Sequence, residues 1–154
     1  MPRVGDDESR SDRLDRELIE LLNELRVALP GVQILFAFLL TVPFAGRFER
    51  ITDFQKDTYL FAFLCAMAGS VFLMAPTAYH RIQWRRHDKE QMLRVSNALA
   101  IAGTVFLSLG MAASVLFVTD FLFTRTVAIG ATALAGLLFA TFWYALPLYR
   151  RAQD

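Results

Sequence analysis

Four stretches of the chain, Val27 to Ala45, Tyr59 to Ala78, Asn97 to Val118 and Val127 to Leu148, contain no Asp, Glu, Lys, Arg or His. Each approaches the roughly 20 residues that a helix needs to cross about 30 Å of hydrocarbon. The alternation of a barrel strand is missing and the runs are too long for one, so helices are expected. Ahead of the first run, Leu14, Leu18, Leu21, Leu22, Leu25 and Leu29 recur with helical spacing, which predicts an amphipathic helix over 11–29. Ser11 is its expected N-cap, and Arg13 with Glu17 and Arg16 with Glu20 are four-apart opposite charges. Pro30 either starts the first span or kinks a longer helix that begins upstream, while Pro43, Pro76 and Pro147 sit near span ends. The expected fold class is all-α: an integral membrane four-helix bundle preceded by a cytoplasmic amphipathic helix. Its divisions are a disordered tail over 1–10, the amphipathic helix over 11–29, four transmembrane helices over 30–149 and a cytoplasmic tail over 150–154.

Composition agrees, since 55% of the 154 residues are hydrophobic and 13% aromatic, more than ordinary soluble domains carry. The net charge of +1 conceals segregation. Twelve of the 16 lysines and arginines lie before Pro30, between Tyr79 and Ser96, or after Leu148, on one side of the four spans. That bias orients both termini to the cytoplasm of a plasma membrane and places anionic lipids beside that face. The acidic polar face of the first helix disfavours lipid-surface binding and favours docking on protein. Charge complementarity predicts that Glu17, Glu20 and Glu24, with Arg26 nearby, meet Arg81, Arg85 and Arg86. No uniform basicity points to nucleic acid. The charged first 26 residues and the lack of an A-x-A ending argue against a cleavable signal peptide.

Small residues recur every fourth position as Ala100, Thr104, Ser108, Ala112 and as Ala128, Thr132, Gly136, Ala140, with shorter runs at Ala37, Thr41, Ala45 and Ala62, Ala66, Ser70. Lipid supplies no hydrophobic drive between helices, so these stripes predict close backbone approach with hydroxyls bonding across the gap. Packing within the last hairpin is the first expectation and subunit association the second. Chemistry is sparse. Cys65 is alone in an apolar run, and His80 and His87 lack a third ligand at short spacing, so neither a metal nor a cofactor is expected. There is no nucleophile elbow, phosphate loop or zinc helix, which argues against an enzyme.

The string Glu20-Leu-Leu-Asn-Glu24-Leu-Arg26-Val-Ala-Leu-Pro-Gly31-Val-Gln33, followed by Pro43, Arg47-Phe48, Ala75-Pro76, His80-Arg81 and a terminal Ala-Leu-Pro, resembles the actinobacterial DUF6328 family of small membrane proteins. The resemblance implies no established activity. It passes on an antiporter label as the alternative, a proton or cation transporter drawing on Gln33, Asp120 and Arg125. Asp120 and Arg125 are otherwise expected to bridge the short third turn. The leading expectation is a non-enzymatic component that self-associates as a homo-oligomer or serves as an accessory subunit of a larger membrane complex.

Overall fold

A computed structural model describes residues 10–46, 48–83, 89–146 and 149. Four long helices, α1 (Arg10–Thr41), α2 (Asp53–Gln83), α3 (Lys89–Leu122) and α4 (Arg125–Phe139), run up and down, and α4 continues as a π-helical stretch over Ala140–Ala145. Two short 3-10 turns, Val42–Phe44 and Phe48–Arg50, join α1 to α2, and no strand occurs among the described residues. All four helices are long and apolar enough to cross a membrane. The basal end of the bundle holds the starts of α1 and α3; the apical end holds the α1–α2 connection and the α3–α4 turn.

The leucine-rich segment and the first span are one helix. α1 passes through Pro30 without a break, which decides for a longer helix that begins upstream. Ser11 lies inside it and is not an N-cap. The physical reason is a continuous seam: Leu18, Leu25, Val32 and Leu39 are all buried at seven-residue spacing, so one face keeps its partners on both sides of the proline. Pro30 itself is exposed on the opposite side, where its ring displaces no packed neighbour. Of the expected N-terminal tail over 1–10, Arg10 belongs to α1 and residues 1–9 lie outside the described residues, as does the tail over 150–154.

The tightest interface joins α2 to α3. A Cβ on Gly110 would stand 3.2 Å from Ala66 N, and one on Gly69 would stand 3.3 Å from Leu107 N. Ala62, Ala66 and Leu73 are fully buried there. The backbones approach this closely because the residues between them are small. α1 packs against both α2 and α3, whereas the backbone of α4 comes close only to that of α3 among the other helices in the described residues.

At the apical end Tyr59 joins three helices and a turn. Its ring lies 5.4 Å from that of Phe48, 6.2 Å from Phe63 and 5.8 Å from Phe117. Its hydroxyl donates to the Leu39 carbonyl at 3.0 Å. Pro43 has no N–H to give that carbonyl, four residues back along α1, so Tyr59 replaces the missing helical donor. Tyr59→Phe keeps the rings and removes the donor. It is expected to lower stability by about 1–3 kcal/mol, measured by unfolding in mixed micelles.

Candidate functional site

Polar chemistry is concentrated at the apical end, where α2 begins beside the α3–α4 turn. The Thr52 N–H donates to Gln55 Oε1 at 3.1 Å and the Gln55 N–H donates to Thr52 Oγ1 at 3.3 Å. This is a capping box, a reciprocal pairing that satisfies two otherwise orphaned donors at a helix start. The far side of the same amide reaches across the fold. Gln55 Nε2 donates to Asp120 Oδ2 at 2.9 Å, and its contact with the Asp120 carbonyl is 3.4 Å.

Asp120 occupies the last turn of α3, where the helix dipole disfavours an anion, and its side chain is only 9% exposed. The Gln55 amide and the Arg125 guanidinium, whose Nη1 lies 3.9 Å from Asp120 Oδ1, offset that cost. Arg125 opens α4 and places its Cζ 3.9 Å from the centre of the Phe54 ring, a cation–π contact back onto α2. The turn is therefore bridged by Asp120 and Arg125 and further tied to α2 by Gln55 and Phe54. Sequence reading missed Gln55, although Thr-x-x-Gln before an apolar run was the available signal.

A second feature is a crevice of about 390 Å³ at the basal end, lined by Glu17, Glu20, Leu21 and Glu24 of α1 and by Leu93, Arg94 and Asn97 of α3. The cation that shares this crevice with the acidic face is Arg94. Arg81 is exposed, no ion pair joins it to Glu17, Glu20 or Glu24 among the described residues, and Arg85 and Arg86 lie outside those residues. Charges are instead paired along their own helices, Arg13 with Glu17 at 3.0 Å, Arg16 with Glu20 at 4.0 Å and Arg94 with Glu90 at 2.7 Å. Docking is apolar, since Leu21, Leu22, Leu29 and Ala100 pack around buried Leu25, Val32, Leu73 and Leu107. Exposed pairs contribute about 0–1 kcal/mol each, so leucine burial decides how α1 seats. Arg26 and Glu24 remain exposed.

The small-residue stripes divide. Ala100 packs on the basal core, and Ala128 is fully buried. Beyond Ala128 the helices part, leaving an open cleft of about 380 Å³ between α3 and α4 lined by Ser108, Ala112, Gly136, Ala140 and Tyr144. A Cβ on Gly136 would meet nothing within 4 Å, so this glycine marks no close contact within the chain. The hydroxyls do not bond across the gap. Thr104 donates to Ile101 O at 2.8 Å, Ser108 to Val105 O at 2.8 Å and Thr132 to Ala128 O at 2.8 Å, each within its own helix. A carbonyl three or four residues back is always in reach, and taking it leaves no polar group waiting on a neighbour. The α2 stripe does pack closely, Ala62 and Ala66 against Gly110 of α3, a glycine the four-residue pattern overlooked.

The residues of the transport alternative are not gathered. Gln33 is exposed on α1, while Asp120 and Arg125 close the apical turn. No second carboxylate and no histidine hydrogen-bonds to Asp120 among the described residues.

Fold and sites together define a small all-helical protein whose four helices are long and apolar enough to span a membrane and whose polar ties between helices gather at the apical end. The sequence profile of a family of unknown function, DUF6328, matches residues 7–147, and the chain belongs to that family. No curated protein and no solved structure matches the chain.

Proposed function

We propose that this chain is a non-enzymatic plasma-membrane component that acts through helix association, as a self-associating unit or an accessory subunit of a larger membrane complex. Both termini face the cytoplasm in this reading, with anionic lipids at the basal end. One observation carries it: among the described residues the backbone of α4 packs along α3 alone, with the Arg125 side chain reaching α2, which leaves the α3–α4 cleft and most of α4 open to a further helix or to lipid. The acidic crevice adds a second surface suited to a helical partner. Polar ties such as Gln55 with Asp120 hold helices in register, a structural use of the one carboxylate beside the apolar runs of α3 and α4.

Extraction from native membranes into lipid discs, followed by mass measurement, tests this reading. A multiple of the 17.4 kDa chain, or a stoichiometric partner, is the expected result. A lone monomer would overturn it, as would sodium- or potassium-driven pH change in liposomes that Asp120→Asn abolishes.

A further inference from the structure

Within the apolar run of α1, Gln33 is exposed and makes no side-chain hydrogen bond among the described residues. It lies six residues beyond Val27, about 9 Å inside the start of that run at the helical rise. Its neighbour Val32 is fully buried against α2 and α3, which fixes the inner face of α1 and turns Gln33 outward. A primary amide left against lipid keeps unpaired donors and acceptors where no water can satisfy them.

The surroundings of Gln33 share its character. At about 100° per residue, Pro30, Ala37 and Thr41 fall within about 80° of Gln33 around the helix. All are exposed, and all are small or satisfied, the Thr41 hydroxyl by the Phe38 carbonyl at 2.7 Å. Exposed Ile34 and Phe38 flank this strip on one side. The open side of α4 differs, because Leu134, Leu137 and Phe142 are apolar and lipid alone suffices to cover them.

We propose that this strip of α1 is where a second copy of the chain docks, α1 against α1, with the two Gln33 amides hydrogen-bonded across a two-fold axis along the membrane normal. The proposal rests on the self-association reading above and names its surface. An amide is both donor and acceptor, so it complements itself. Two copies inserted with the same orientation bring Gln33 to the same depth by symmetry. Pro30 and Ala37 on either side let the backbones approach closely enough for the amides to meet. Arg26 marks the basal limit of the strip, where helices crossing near Gln33 have diverged and the guanidinium reaches the headgroups.

Cysteine cross-linking in native membranes tests this, in a Cys65→Ala background. Oxidation of an Ala37→Cys variant is expected to give a covalent dimer, and Ile129→Cys, on exposed α4, is not. Adding Gln33→Leu to Ala37→Cys should lower the dimer yield about three- to tenfold. Cross-linking at position 37 no better than at 129, or an adduct with a different protein, overturns the proposal. An oligomeric mass without a cross-link at 37 removes this strip and leaves self-association standing; a monomeric mass removes both.

Discussion

Gly103→Leu is expected to destabilise the protein by about 3 kcal/mol or more, whereas Gly136→Leu is expected to change stability by no more than about 0.5 kcal/mol. A Cβ at position 103 would stand 2.7 Å from Leu73 Cγ, 2.8 Å from Leu73 Cδ2 and 3.1 Å from Leu73 N. The side chain cannot simply swing aside, because Leu73 is fully buried and belongs to the basal core with Leu25, Val32 and Leu107. The backbone nitrogen cannot move without shifting α2. A close-packed interface answers added volume with off-rotamer side chains and displaced helices, and leucine adds three further carbons to that first clash. At Gly136 the same substitution points into the open α3–α4 cleft, where a Cβ meets nothing within 4 Å. Unfolding of both variants in the same mixed micelles gives the comparison. Equal losses would mean that α4 seats on α3 far more tightly than the cleft implies. A loss at Gly136 that appears only in lipid discs at high protein density would place that glycine between protein copies.

Asp120→Ala is expected to loosen two segments that are distant in sequence, the start of α2 and the α3–α4 turn, by about 1–3 kcal/mol. The substitution removes the acceptor of a Gln55 amide that is only 8% exposed and the anion beside Arg125. Leaving a buried donor unpaired costs more than the lost bond itself contributed, so the effect should exceed that of an ordinary surface pair. Amide hydrogen exchange is the suitable readout, because local opening free energies are read residue by residue. Exchange should accelerate roughly five- to one-hundredfold over Thr52 to Thr58 and over Thr119 to Arg125 together. Asp120→Asn retains an acceptor oxygen for Gln55 and should give the milder change. Acceleration confined to the α3–α4 turn, with the start of α2 unaffected, would show that Gln55 does not tie the two together.

The four helices were legible because the sequence has no charge inside four runs of membrane-spanning length, and the energetic cost of a buried charge makes such runs unambiguous. The two ion pairs of the first helix, Arg13 with Glu17 and Arg16 with Glu20, followed from local pattern as well. Asp120 and Arg125 could be paired in advance because only four residues separate them across a short turn. Each of these is a property of one segment and its immediate neighbours.

Tertiary structure decided what depends on which faces meet. Four-residue stripes of small residues occur on several helices, and nothing in their spacing tells an occupied groove from an open one. Register did that, setting Gly103 and Gly110 against Leu73 and Ala66 while leaving Gly136 facing a cleft. The acidic face of α1 lines a crevice with Arg94 of α3 because leucine burial, not charge, seats the helix, and that seating brings α3 alongside. Gln55 could be read as a capping residue from Thr-x-x-Gln, but its second role required α3 to end beside it, 65 residues later in the chain. Hydrophobic length thus settles how many helices form, since it is a sum over one segment. Which polar groups find each other is a property of pairs of segments, and only packing specifies it.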